Sequence, residues 1–142
     1  MDQALEQMLN LLLESERAGV VALDVLAGQV EQEDLRKFLI AGKEDESATA
    51  GQLEQLIRDG GGTPSPKVGP FAAKIAALGT VRERVELLIK GEEWVARKVE
   101  EALALAPLTG AAHDYLRTMA NRHRFDVEWT GAKLINMINN MR

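Results

Sequence analysis

Hydrophobic residues recur at steps of three and four along most of the chain, the spacing typical of helices that bury one face. In the first such stretch the inward positions are Leu5, Leu9, Leu12, Glu16, Gly19, Leu23 and Leu26. Three further stretches have similar stripes, and no strand-like alternation appears. The pattern predicts an all-α protein with four long helices, at about 3–28, 32–59, 80–105 and 109–140.

The segment 60–79 separates the second and third predicted helices, and its glycines and prolines forbid a continuous helix. A short helix over 71–78 is compatible with them. A helix of about 28 residues is roughly 42 Å long, and a connection of this length, extended at ~3.3 Å per residue, can cover that distance. We therefore expect the segment to cross the whole bundle, with a plain up-down bundle and a long loop as the alternative.

Each predicted helix carries one polar residue near its midpoint, inside its otherwise apolar stripe. These residues are Glu16, Glu46, Glu92 and His123, and we call them the polar layer. Midpoints of helices of similar length lie at one depth when the helices pack side by side. Buried carboxylates are costly unless compensated, and carboxylate and imidazole ligands suit iron, manganese or zinc. The four residues are therefore predicted to be metal ligands.

Some neighbouring residues are weaker candidates for the same role. If the inward face of a helix is rotated from the predicted one, the ligand would be Glu14 instead of Glu16 or Glu93 instead of Glu92. Asp45 is a weaker alternative to Glu46. His113 lies near the start of the fourth helix, far from the layer, and is interpreted as structural or exposed. Asp126, one turn after His123, either orients that imidazole or is solvated.

The aromatic residues and Thr49 have two interpretations each. In a protein with a metal centre, these aromatic residues would act as redox relays. More commonly, aromatic residues fill the core or contact a second subunit. The residues are Trp94, Tyr115 and Trp129. Thr49 hydrogen-bonds either Glu46 or the backbone of its own helix, and the second is the commoner arrangement.

The polar layer resembles the ligand set of the ferritin-like superfamily of carboxylate-bridged di-iron proteins. In that superfamily the four helices supply Glu, Glu-x-x-His, Glu and Glu-x-x-His in order. Glu16, Glu46, Glu92 and His123 match four of these positions. The resemblance implies a ferritin-like four-helix bundle with a long crossover between helices 2 and 3, and an iron-binding protein with oxidoreductase-type chemistry. The stretches 11–19, 61–65 and 91–97 are also similar to segments of a small bacterial ferritin-like family with no assigned function.

The chain departs from the superfamily pattern at two positions. Thr49 stands where the second helix would have its histidine, and Ala120 stands where the fourth would have its glutamate. By this resemblance one iron loses its histidine and the pair loses a bridging carboxylate. The centre is thus predicted to be degenerate: a single metal held by Glu46, Glu92 and His123 with Glu16, or no metal if the site is vestigial.

Composition narrows the classes of function. The 142 residues suit a single domain over 1–142. A net charge of −5 argues against a nucleic-acid binder. The absence of cysteine excludes thiolate ligands and disulfides and fits a cytoplasmic protein, and no apolar run is long enough for a membrane span.

Two hypotheses for function follow from these patterns. The first is a ferritin-like protein that binds iron, manganese or zinc at the degenerate centre. The alternative is a metal-free helical bundle that acts through protein contacts as a homodimer. No catalytic residue is assigned under either hypothesis.

Overall fold

A computed structural model describes residues 1–125, 128 and 131–140 of the chain. Regular secondary structure in this part is helical throughout, which confirms the all-α prediction. The helices are α1 (Gln3–Gln29), α2 (Glu33–Asp59), α3 (Phe71–Ala76), α4 (Val81–Leu105), α5 (Ala111–Phe125) and α6 (Gly131–Asn139). None of the described helices combines the length and apolarity needed to cross a lipid bilayer.

Side-chain caps explain where two of the long helices begin. The Asp2 carboxylate accepts a hydrogen bond from Ala4 N (2.7 Å) ahead of α1. The Thr80 hydroxyl accepts from Glu83 N (3.1 Å) ahead of α4 and donates to the Glu83 carboxylate (2.9 Å). These contacts satisfy amide groups that have no partner inside the helix. The bounds of α1, α2 and α4 accordingly lie within a residue or so of those predicted.

The described residues within the last predicted helix, 109–140, include α5 and α6. Gly110 has a φ of 116°, a conformation that glycine tolerates and other residues rarely adopt, so α5 begins only at Ala111. Residues 126, 127, 129 and 130 lie outside the described part of the chain. The interpretations of Asp126 and Trp129 fall on these residues.

The connection between α2 and α4 runs along the length of α1. Its backbone amides bond to successive turns of that helix: Thr63 N to the Glu6 carboxylate, Ser65 N to the Asn10 side chain and Gly69 N to Glu14 O. At the far end Arg84 of α4 donates to Gln29 of α1. The segment therefore passes from one end of α1 to the other, and α2 and α4 begin at the same end of the bundle.

The helices enclose two separate hydrophobic clusters. Helix α1 packs on α2, α3 and α4, while α4 packs on α5 and α6. Leu9, Leu53 and Leu116 belong to one cluster, and Leu26, Leu39 and Leu134 belong to the other. Along α1, α2 and α4, the polar-layer residue falls between the contributions of the helix to these two clusters, and His123 follows the residues that α5 contributes to the first. The core is thus divided in the middle by polar side chains.

Candidate metal centre

The structure brings the four residues of the polar layer to one place. Glu16, Glu46, Glu92 and His123 all line a cavity of about 200 Å³ between the two hydrophobic clusters. Glu16 and His123 are only 3% and 4% exposed, and the other two are half-buried. The depth inferred from the helix midpoints therefore corresponds to a real cluster.

The His123 imidazole lies between two carboxylates. Its Nε2 is 3.6 Å from Glu16 Oε1, and its Nδ1 is 3.5 Å from Glu92 Oε2. Both distances are longer than an ordinary hydrogen bond, so these contacts are ion pairs when the ring is protonated. Burial alone would lower the pKa of His123, but the two carboxylates outweigh burial and raise the pKa from 6.5 to about 9. At neutral pH the ring is an imidazolium.

The carboxylates of Glu46 and Glu92 differ in their affinity for protons. Burial, followed by the charge of Glu92, raises the pKa of Glu46 well above its usual value. Burial would also raise the pKa of Glu92, but its contacts with His123 and Glu46 lower it instead. Burial raises the pKa of Glu16 against the opposing contact with His123. Glu46 is therefore the carboxyl group that holds a proton most strongly.

A glycine on α1 makes room for the Glu46 carboxylate. A Cβ built at Gly19 would lie 1.8 Å from Glu46 Oε2 and 2.7 Å from its carboxyl carbon. Any larger residue at position 19 would displace the carboxylate. The sequence pattern assigns no role to Gly19 beyond a small residue in the inward stripe of α1. In the structure, the absence of a side chain at Gly19 leaves the space that the Glu46 carboxylate occupies.

Arg122 supplies a permanent positive charge beside the layer. Its Nη2 donates to Thr49 Oγ1 (2.5 Å). Its charge opposes the rise in the pKa values of Glu16 and Glu46 and adds to the lowering of the pKa of Glu92. The Thr49 hydroxyl in turn donates to Asp45 O (3.0 Å), which confirms the interpretation that Thr49 bonds its own helix backbone. Sequence reasoning missed Arg122, since it falls outside the apolar stripe; its position next to His123 was the one available signal.

The weaker candidates do not join the cluster of four. Glu93 and Asp45 are exposed, although Asp45 lies at the edge of the cavity, and Glu14 lines a different cavity. His113 lies 3.8 Å from Asp114 and faces no residue of the layer. Tyr115, half-buried, has its pKa raised by burial and lies close to Thr49.

The comparison with family models identifies the family. A model described as a domain of unknown function (DUF6306) matches residues 3–132. The chain belongs to the DUF6306 family. The matched range includes the whole polar layer, Thr49 and Arg122. Neither the curated proteins nor the solved structures contain a match to the chain.

The polar layer of this DUF6306 chain contains buried atoms that lack a hydrogen-bond partner among the described residues. They are Glu16 Oε1, Glu46 Oε2 and both ring nitrogens of His123. Unpaired buried polar atoms are rare in folded proteins and call for an explanation. As the side chains are placed, no group of three or more described histidine, aspartate or glutamate residues could hold a metal ion. The His123 ring lies between the carboxylates of Glu16 and Glu92.

Proposed function

We propose that the protein binds a single divalent metal ion in the polar layer through Glu16, Glu46, Glu92 and His123. The observation that carries the proposal is a set of four buried oxygen and nitrogen atoms without a hydrogen-bond partner among the described residues, which belong to Glu16, Glu46 and His123. Carboxylate and imidazole donors suit iron, manganese or zinc, and the resemblance to the ferritin-like superfamily favours iron among them. We also propose that the bundle is a degenerate member of the ferritin-like superfamily, since the chain order of the four residues matches it.

Binding requires the layer to exchange protons for the metal ion. A metal ligand must be deprotonated, whereas His123 is protonated at neutral pH and Glu46 retains its proton most strongly. Once His123 loses its charge, it also loses its ion pairs with Glu16 and Glu92. Small side-chain rotations within the cavity then allow the ligands to converge.

The proposal of one metal ion per chain follows from Thr49 and Ala120, which stand where the superfamily has two further ligands. Thr49 is bonded to Arg122 and to its own helix, and Ala120 has no donor atom. The guanidinium adds a positive charge beside the position that a second metal ion would need. These features support one bound ion rather than two.

Each residue then has a defined contribution. Gly19 admits the Glu46 carboxylate, Arg122 offsets part of the negative charge, and the two hydrophobic clusters limit access of water. Bound iron would supply one-electron oxidation chemistry at this point. The surrounding residues orient and protect it rather than react.

The test is elemental analysis and titration calorimetry of purified protein with Fe²⁺, Mn²⁺ and Zn²⁺. One ion per chain is expected, with binding at least tenfold weaker in Glu92→Ala and His123→Ala. Glu93→Ala and His113→Ala are matched controls, since Glu93 is exposed and His113 lies outside the layer. Equal binding by all four variants, or none by the wild type, would reject the proposal.

A second candidate function is a metal-free bundle that works as a homodimer. The charges of His123 and Arg122 already balance much of the carboxylate charge without a metal ion. Val21, Val25 and Ile40 are large exposed apolar residues on α1 and α2 that a partner copy would cover. Sedimentation equilibrium on wild type and Val21→Asp distinguishes this candidate, which requires dimers that the substitution dissociates.

A further inference from the structure

A second cavity meets the polar layer from the side of α1, α3 and α4. Its volume of about 360 Å³ lies within the range of small-molecule sites. Most of the residues around it are apolar, and they include Leu11, Phe71, Leu87, Trp94 and Val95. The proposed metal site makes no use of this space.

Two apolar side chains of this cavity are not used by the core of the protein. Among the described residues, Leu11 and Trp94 are half-buried and line the cavity, yet neither packs against one of the two hydrophobic clusters. Phe71, Leu87 and Val95, by contrast, each pack against a cluster as well. Leu11 and Trp94 therefore present apolar surface to the cavity that a bound molecule would remove from water.

The Phe71 ring is held against α4 by a glycine. A Cβ built at Gly91 would lie 2.5 Å from Phe71 Cζ and 2.7 Å from its Cε2, so the edge of the ring contacts the helix backbone directly. Gly91 and Trp94 are three residues apart and thus lie on the same face of α4. Phe71 and Trp94 therefore border the same part of the cavity and offer aromatic surface from two different helices.

Lys98 holds the Trp94 ring from outside the cavity. Its Nζ lies over the ring, 5.6 Å from the ring centroid, which is within the range of a cation–π contact. Lys98 is not among the described residues that line the cavity. The contact therefore positions the indole ring and leaves its remaining surface available to a ligand.

Charged groups lie at the two ends of the cavity rather than along these walls. The carboxylates of the polar layer form its inner end, and at its outer end Lys74 and Lys90 are exposed and Glu14 is half-buried. A charged group placed beside Phe71 and Trp94 would lose water without gaining an ion partner, which costs free energy. The cavity therefore favours a neutral ligand over an ion of either sign.

We propose that this cavity binds a neutral aromatic molecule of one or two rings. Contacts with the rings of Phe71 and Trp94 would orient such a molecule, and Leu11 and Leu87 would cover its remaining apolar surface. Apolar cavities in proteins hold water poorly and accept apolar molecules instead. The site needs no metal ion, so it goes beyond the proposed function and does not depend on it.

The experiment is titration calorimetry of the full chain, treated with a chelator, with indole as the probe. A Kd of roughly 10 µM to 1 mM is expected for a ligand of this size. Tryptamine and indole-3-acetate carry the same ring system with a positive or a negative group, and they should bind at least tenfold more weakly. No binding of indole, or binding of a charged analogue as tight as that of indole, would overturn the proposal.

A substitution that fills the cavity locates the probe. Leu11→Trp adds volume from a position outside both hydrophobic clusters, so it should weaken indole binding at least tenfold. Its control is Val21→Trp on the exposed surface of α1, which should bind indole as the wild type does. Equal affinity for indole in these two variants would place the probe outside the cavity and reject the proposal.

A second variant tests the aromatic wall without adding volume. Trp94→Leu should weaken indole binding by roughly threefold or more, because the contact between aromatic rings is lost. The control is Phe38→Leu, which changes an aromatic residue of the smaller cavity and should leave the affinity for indole unchanged. Weaker binding in Phe38→Leu together with unchanged binding in Trp94→Leu would assign the probe to the smaller cavity and contradict the proposal.

Discussion

The Glu46 carboxylate lies directly against the backbone of Gly19 on the neighbouring helix, with its Oε2 only 1.8 Å from the position of a Cβ at residue 19. The contact joins α1 to α2 at the depth where the core becomes polar. It means that a glycine determines whether Glu46 can reach Glu92 and Glu16. The composition of the layer thus depends on a residue that has no side chain of its own.

Substitution of Gly19 by alanine should therefore displace Glu46 and weaken metal binding at least tenfold. The matched control is Gly28→Ala, also on α1, where an added Cβ meets nothing within 4 Å. Alanine in a helix interior is favoured over glycine by about 1 kcal/mol, so the control should be slightly stabilised. Titration calorimetry and thermal unfolding of both variants check the prediction. Metal affinity that is equal in the two variants would contradict it.

Replacement of Glu46 by glutamine should raise the stability of the metal-free protein. The pKa of Glu46 is raised in the folded state by burial and by Glu92, so the folded protein holds a proton that the unfolded chain releases above pH 4.5. The resulting loss of stability grows as the pH rises through the interval between the two pKa values. Glutamine does not titrate and avoids this loss. A Tm increase of a few degrees at pH 7 is expected, given roughly 3 °C per ~1 kcal/mol.

Thermal unfolding at pH 5 and pH 7 measures the Tm difference between Glu46→Gln and the wild type. The control is Glu44→Gln on the exposed surface of α2. The gain should be larger at pH 7 than at pH 5. A Glu46→Gln protein less stable than the wild type at both values would show that the carboxyl group makes a favourable contact that the amide cannot replace.

The position of the polar layer could be predicted because it depends on regular features of single helices. A 3.6-residue period places Glu16 and His123 on inward faces, and the helix lengths place them at one depth. The crossover could also be predicted, since its prolines and glycines exclude a continuous helix and its extended length matches that of α1. These inferences need no knowledge of how the side chains pack.

The roles of Gly19 and Arg122 could not be predicted, because both depend on the relative placement of two helices. A glycine in an apolar stripe indicates only close packing. Arg122 lies off the stripe of α5 and reaches Thr49 through a long flexible side chain. The contact of Phe71 with Gly91 likewise depends on where α3 meets α4, which the sequence of α3 does not determine.

His123 should make the stability of the metal-free protein depend on pH. Its pKa is raised from 6.5 to about 9 in the folded state by Glu16 and Glu92, despite burial. The stabilisation is therefore complete below pH 6.5 and is lost as the pH rises through about 9. The loss corresponds to on the order of 3 kcal/mol at ~1.4 kcal/mol per pKa unit. Urea unfolding of the wild type between pH 6 and pH 10 should show this decline.

Comparison with His123→Gln isolates the contribution of the imidazole. This variant should be less stable than the wild type at pH 6, and the difference should shrink toward pH 10. His113→Gln changes the other histidine of α5 and should keep the pH profile of the wild type. A constant difference between wild type and His123→Gln across the range would mean that the ring acts through packing alone.

Metal binding should release at least one proton per ion at pH 7, the proton of the His123 imidazolium. Without metal, Arg122 and the His123 imidazolium offset part of the charge of the three carboxylates, and burial raises the pKa of Glu46 so that it also favours a proton. A divalent ion would replace the imidazolium charge, which a low-dielectric interior favours. Calorimetry in two buffers with different ionisation enthalpies counts the protons, and His123→Gln should reduce the count. If tight binding releases no protons, the ion is bound outside the polar layer, because no arrangement of His123 as a ligand keeps its imidazolium charge.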